Sequence, residues 1–354
     1  MPIDSPAKAQ PISMPSRAHR IDHPRRIPAL DLDPAQTKAW IFAIACAAVF
    51  VVLGAYGLDL GGDEARLGLA AGGQIGPFGQ VYGYWAPDLW PIPVLASQVV
   101  ALLEENGRAT TASVRWPAAI AGVIAGMLLV SRLMRTVKPR AGIFFALCWF
   151  GSLAMIDRSS TTGLDLLLGL FTVAAIDRLL SRGADWITGL HAAAAFLSGG
   201  WPPLVVIGLA IIVIGRKSAG FSPKLLVPPF VAAVAWSIWA LRVAPTEAWA
   251  SALTLPLTQK PSWFLALGVA GIGLPWIFFA PISLTRSVRE QSSPSTRSLV
   301  TSWLQIALAV TIAGTLVPGL AITSRFPALA GLLIASAVAL DVAWDGGLTG
   351  WGKR

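Results

Sequence analysis

The stretch Ser113–Arg140, SVRWPAAIAGVIAGMLLVSRLMRTVKPR, decides the fold. A span over about Ser113 to Met134 is apolar enough, at a rise of about 1.5 Å per residue, to cross a hydrocarbon core of about 30 Å. It runs out into Arg132, Arg135, Lys138 and Arg140. Basic residues packed against the end of an apolar run mark the cytoplasmic side.

Outward from there, the same alternation of apolar run and basic cluster continues. The chain has 354 residues, 55% hydrophobic and only 13% charged, with a mean hydropathy of +0.66. An average soluble domain carries about 25% charged residues, so the composition is that of a polytopic membrane protein. The net charge of +9 sits in short clusters between apolar runs. No basic face with interleaved aromatics is present to follow a phosphate backbone, which argues against nucleic acid as a partner. Cys46 and Cys148 both lie inside apolar runs and are read as packing residues.

Residues 1–38, rich in Pro, Ser and Arg, are expected to form a disordered cytoplasmic tail. Residues 39–343 form the transmembrane domain and residues 344–354 a second cytoplasmic tail. The first span covers about Ala39 to Gly57, and the basic residues ahead of it, Arg17 to Lys38, keep its start inside. Residues 58–112 then make an exoplasmic loop, in which Ile92 to Leu103 is too short to span and reads as an interfacial helix. The third and fourth spans are Ala141 to Ile156 and Leu164 to Leu180. A short pair, Trp186 to Leu197 and Trp201 to Ile214, is joined at Ser198-Gly199-Gly200-Trp201-Pro202-Pro203, where tandem prolines suit a helix's first turn. Leu225 to Val243 is the seventh span and Trp263 to Leu284 the eighth. Leu299 to Val317 and Pro327 to Val342 make a final hairpin, with Thr323-Ser324-Arg325 in its outer turn. The fold class is therefore all-α, a bundle of about ten spans with both termini cytoplasmic. The compartment is expected to be a bacterial plasma (inner) membrane.

This topology sends Asp63, Glu64, Arg66, Asp88, Arg158, Lys260 and Arg325 to the outer face, with Asp165 within a turn of the outer end of the fourth span. Charges at membrane depth persist where they face protein or a watery cavity, so a polar outward-facing cavity is expected. Asp63 and Glu64 also suit a plain helix start, and Asp165 a plain cap, although Thr161 and Thr162 offer caps with less desolvation. As cavity carboxylates they suit a general base or ligands of a divalent cation, for which Asp63 and Glu64 are the candidates. Arg158, Lys260 and Arg325 suit an anionic group such as a lipid-linked phosphate. Trp85 suits the headgroup level, and Lys260 and Arg325 also fit interfacial snorkelling. His191 is read as a packed histidine, and Asp177 as an ion pair with its neighbour Arg178. No nucleotide-binding motif is found, and no repeat of broken spans of the transporter kind.

The order of features resembles a family. Asp63-Glu64-Ala65-Arg66, an aromatic segment through Tyr84, Trp85 and Asp88, Arg115-Trp116-Pro117, Thr162-Gly163-Leu164-Asp165, Gly199-Gly200-Trp201-Pro202, Gly273-Leu274-Pro275-Trp276 and Arg325-Phe326-Pro327 follow in turn. From about Ala39 to Leu340 the chain resembles the ArnT-like and protein O-mannosyltransferase-like GT-C glycosyltransferases. The resemblance implies an inverting membrane enzyme that moves a sugar from a polyprenyl-phosphate donor to an acceptor at the outer face. It implies Asp63 as catalytic base, Glu64 as its neighbour and Asp165 as a second cavity carboxylate. Arg66, Tyr84, Trp85, Asp88, Arg158, Lys260 and Arg325 would then bind donor phosphate and substrate. Membrane lipids and the lipid-linked sugar are the expected partners, with the acceptor open and membrane-protein partners possible. No cofactor is required beyond a possible divalent cation. The rival expectation is a non-catalytic GT-C-like subunit or lipid-binding scaffold.

Overall fold

Several of the apolar runs begin at a residue that punctuates the backbone. A computed structural model describes residues 33–55, 111–153, 155, 164–183, 185–215, 222–243, 268 and 273–346. Helix α1 (Pro34–Ala55) opens where the Asp33 carboxylate accepts from the Ala35 amide at 3.2 Å. It therefore starts ahead of the expected span, because Asp33-Pro34 supplies a cap followed by a residue with no amide to satisfy. Helix α2 (Thr111–Thr136) turns through Val137-Lys138 into α3 (Pro139–Phe150), again with proline in first position. Helix α4 (Leu164–Arg182) ends at Gly183, whose φ of +80° favours glycine.

Asp185 caps the next helix by accepting from the Thr188 amide at 2.8 Å. That helix, α5 (Trp186–Gly199), stops at Gly200, with φ of +73°, and the tandem prolines open α6 (Pro202–Gly215) as expected. Helix α7 (Pro223–Val243) follows, then a 3-10 helix (Trp276–Leu284), the short α8 (Arg286–Gln291) and α9 (Pro294–Leu316). The Ser293 hydroxyl caps α9 by accepting from the Thr296 amide. A 3-10 turn (Pro318–Leu320) leads into α10 (Ala321–Trp344). No strand occurs among the described residues.

Three expected boundaries are corrected. The third span, expected to reach Ile156, ends as α3 at Phe150, where Gly151 caps it. The eighth span is not a continuous α-helix. Gly273-Leu274-Pro275 form a turn, and the following segment is 3-10 with Pro281 inside it, where the proline has no amide for an i−4 ladder. The last hairpin turns at Val317 to Leu320, so Thr323, Ser324 and Arg325 lie in α10 and Pro327 is inside the helix instead of opening it. Pro318 breaks the chain first, and Pro327 costs α10 one bond near its start.

Helix α10 is the axis of the bundle. Of its apolar window 83% is buried, against 22% for the peripheral α1. It packs against α9, the 3-10 helix, α3 and α4. Small residues make this possible. A Cβ on Gly331 would lie 2.5 Å from the Trp303 carbonyl oxygen, so the α9 and α10 backbones all but touch. The outward faces are apolar, with Ile41, Ile44 and Val49 on α1 and Phe230, Val231 and Ile238 on α7 exposed. Four described helices, Pro34–Val52, Arg115–Thr136, Pro294–Leu316 and Ala321–Trp344, are long and apolar enough to cross a membrane. Shorter apolar helices, including Pro139–Phe150 and Pro202–Gly215, are packed among them. The chain is an integral membrane protein.

Candidate functional site

The bundle has two ends of different chemistry. At one, the basic clusters that sequence assigned to a common side are indeed together. Arg140 Nε donates to Asp341 at 2.6 Å while its Nη2 meets Asp345 at 2.6 Å, and Lys138 reaches Asp345 at 3.2 Å. These contacts join the start of α3 to the end of α10. The hydrogen bonds from Arg140 and then Lys138 hold the Asp345 carboxyl below its ordinary value. Thr296 of α9 reaches the Thr136 carbonyl of α2 at 3.5 Å. The expected Asp177–Arg178 pair does not form. Consecutive helical residues do not face each other, so Asp177 meets Arg132 of α2 at 3.7 Å. Arg178 instead donates to both carboxylate oxygens of Asp185, from Nε to Oδ1 and from Nη2 to Oδ2.

At the other end the motif segments converge. Phe326, near the start of α10, lies where a Cβ on Gly169 of α4 would be 2.7 Å from its ring, and its centroid is 6.4 Å from that of Trp149 on α3. The Trp149 indole donates to the Gly122 carbonyl of α2 at 3.0 Å. Leu168 of α4 fills the space beside Gly199 at the α5–α6 turn. The Leu153 amide donates to the Leu274 carbonyl at 3.3 Å, bringing the exit of α3 to the Leu-Pro-Trp turn. Four segments quoted for the family resemblance are thus drawn together through residues in them or within a turn of them: those of Asp165, Gly199-Gly200, Gly273 to Trp276, and Arg325-Phe326.

Asp165 is the second residue of α4, one turn ahead of Gly169, and Arg325 is half-buried beside Phe326. Arg115 is 2% exposed near the start of α2. Of the other expected site residues, Asp63, Glu64, Arg66, Tyr84, Trp85, Asp88, Arg158 and Lys260 lie outside the described residues. The interfacial segment Ile92 to Leu103 does too. Among the described residues no group of three His, Cys, Asp or Glu side chains gathers that could hold a metal.

Sequence reading singled out neither Trp149 nor Ser324 of this end for a role. Ser324 Oγ and Trp276 Nε1 are both buried without a hydrogen-bond partner among the described residues. The signal for Trp149 was a tryptophan within the third apolar run, with Gly122 and Gly126 on the preceding helix making room for it. A Cβ on Gly126 would stand 2.6 Å from the indole.

With this geometry in hand, similar solved structures can be placed beside the chain. ArnT from Cupriavidus metallidurans in the apo state aligns at a TM-score of 0.67 and 19% identity, over 89% of this chain and 63% of that one. The same protein bound to undecaprenyl phosphate aligns at a TM-score of 0.70 and 18% identity, over 90% of this chain and 63% of that one. The oligosaccharyltransferase of Archaeoglobus fulgidus, tethered with an acceptor peptide, aligns at 0.48 and 17% identity over 89% and 51%. No protein-family model and no curated protein sequence matches the chain. The chain has the helical fold of the ArnT structures and spans 63% of their length.

Proposed function

We propose that this chain is an integral-membrane glycosyltransferase that moves a sugar from a polyprenyl-phosphate donor to an acceptor at the outer face of the membrane. The observation that carries the reading is the likeness, over 90% of this chain, to a structure with undecaprenyl phosphate bound. Support comes from the convergence of the separately recognised motifs at one end of the bundle, opposite the basic clusters.

The chemistry follows from the donor, which arrives activated by its phosphate and needs no nucleotide. In the proposed reaction an acceptor hydroxyl attacks the anomeric carbon, and the bond from that carbon to the phosphate oxygen breaks with inversion. The acceptor proton passes to Asp63, and the polyprenyl phosphate leaves with both electrons of the broken bond. Glu64, next in sequence, raises the proton affinity of Asp63 by like charge, and Asp165 is proposed as a second carboxylate of the site. Arg158, Lys260 and Arg325 meet the phosphate charge as it develops. Arg66, Tyr84, Trp85 and Asp88 orient the sugar. Were Asp63 and Glu64 to hold a divalent cation instead, it would neutralise the leaving phosphate while lowering the proton affinity of Asp63, so the base and cation roles are alternatives.

The test is transfer of radiolabelled sugar from a synthetic polyprenyl-phosphate donor to acceptors in a membrane extract by the purified full chain. Asp63→Asn is expected to lower transfer by at least 100-fold while the variant remains monodisperse. Unchanged transfer would remove Asp63 from the mechanism. A specific observation favours the rival reading of a non-catalytic lipid-binding scaffold: Ala86-Pro87-Asp88 stands where the resembling enzymes usually carry Lys-Pro-Pro. The scaffold predicts retention of polyprenyl phosphate with no transfer by the unmodified protein.

A further inference from the structure

We propose that the basic end of the bundle holds a second ligand site, for the phosphate of an anionic phospholipid headgroup. The site is a cavity of about 140 Å³ between the end of the 3-10 helix, α8 and the first turns of α9. That is room for several waters or one phosphate group. One wall is apolar, made by Leu284, Val288, Val300 and Val338, and the rim carries Arg289, Arg297 and Thr301.

The groups around the cavity differ in what they have left to donate. Ser283 already donates to the Ala280 carbonyl and Ser292 to the Val288 carbonyl, each at 2.7 Å, and Thr296 faces the Thr136 carbonyl. The two guanidinium groups and the Thr301 hydroxyl remain. The neighbouring Glu290 does not neutralise them, because Arg286 holds it at 2.6 Å. The carboxylates of this end pair with other cations: Asp177 with Arg132, Asp185 with Arg178, and Asp341 and Asp345 with Arg140. Among the described residues no ion pair joins a carboxylate to Arg289 or Arg297.

A lipid fits better than a free anion because four of the ten lining residues form an apolar wall, and Leu284, 58% exposed, continues that wall outward. The cavity also sits where α9 passes from Pro294 and its polar first turn into the apolar run from Leu299. This is the level at which lipid phosphates lie, and basic pockets between spanning helices are where headgroups bind.

The experiment uses the full chain in neutral detergent, titrated separately with phosphatidylglycerol, phosphatidylcholine and inorganic phosphate. Bound lipid is counted by native mass spectrometry, and thermal unfolding is followed in parallel. Phosphatidylglycerol is expected to bind and to raise Tm, with its affinity reduced about 10- to 30-fold in R289Q/R297Q. Arg135→Gln supplies the control. That residue lies at the same end, and among the described residues its hydrogen bonds stay within its own helix, to Ser131, so the substitution removes one charge without touching the cavity. Equal loss in R135Q and in the single variant R297Q would reduce the effect to general surface charge and overturn the site. Equal binding of the two lipids would also overturn it. Saturable stabilisation by inorganic phosphate, with nothing added by phosphatidylglycerol, would overturn the lipid assignment. Both arginines are exposed, so the variants are expected to fold. An unfolded double variant leaves R297Q and T301V to decide by the same measurement.

Discussion

Gly331 shows how far the bundle depends on missing atoms. It lies in α10, with the Trp303 carbonyl oxygen 2.5 Å and the Ala307 methyl 2.8 Å from where a Cβ would stand. The oxygen belongs to backbone and cannot swing away, so the two helices must part. Overpacking of this kind costs about 1–3 kcal/mol. Gly208 of α6 is the counter-example, with nothing within 4 Å of its Cβ position. There the only change is the lower backbone entropy of alanine, worth about 0.5–1 kcal/mol in a helix. Gly331→Ala is therefore expected to unfold at a lower temperature than the unsubstituted chain in one detergent, and Gly208→Ala at the same or a higher one. A Gly331→Ala protein as stable as Gly208→Ala would mean that the α9–α10 contact is looser than described.

Between elements, the α4–α5 corner is held by charge as well as by packing. Asp185 accepts from the Thr188 amide and hydroxyl at 2.8 Å each, and from Arg178 Nε at 3.0 Å. The Arg178 hydrogen bond, followed by those from Thr188, holds the Asp185 carboxyl well below the usual carboxylate range. The sign follows: a carboxyl depressed in the folded state stabilises it above the unfolded value of about 3.9, and that contribution fades as pH falls through the folded value. Asp185→Asn keeps an oxygen for the cap and loses the charge. The side chain is 33% exposed, so screening keeps the loss near 1 kcal/mol or below. The variant should trail the unsubstituted chain in Tm at pH 7, and the gap should close as acidification goes below about pH 4. A gap independent of pH would assign the corner to shape alone. This corner was legible in the sequence only in part. The apolar run from Trp186 marked the helix, while the cap by Asp185 and its clasp on Arg178 went unread, the clasp because it depends on how α4 and α5 meet. Asp177 was likewise assigned to its sequence neighbour because its partner Arg132 is on another helix. Local pattern identifies where a helix runs and leaves open what its polar side chains reach.

Across the whole molecule, what was legible was what the bilayer itself enforces. A long apolar run bounded by Arg132 to Arg140 permits a spanning helix, and α2, α4 and α9 run close to their expected bounds. Prolines were less informative: Pro202 and Pro203 opened α6 as expected, while Pro327 went inside α10 because Pro318 had already turned the chain. At the candidate site, sequence order could name the Asp165, Leu274-Pro275-Trp276 and Arg325 segments. It could not show that Phe326, Trp149 and Gly169 join them, since that contact links α3, α4 and α10. The arrangement makes an orientation test possible. Helix α9 runs from the basic end to the turn before α10, and its 23 residues reach about 35 Å, enough to cross a core of about 30 Å. If the basic end faces the cytoplasm, a cysteine at Ser295 is shielded from an impermeant maleimide in intact cells, and one at Gly319 is labelled. Cys46 and Cys148 are free thiols and are first replaced by alanine. Permeabilised cells should then label both positions. Labelling of Ser295→Cys alone in intact cells would invert the bundle, place Asp165 and Arg325 toward the cytoplasm, and end the case for sugar transfer at the outer face.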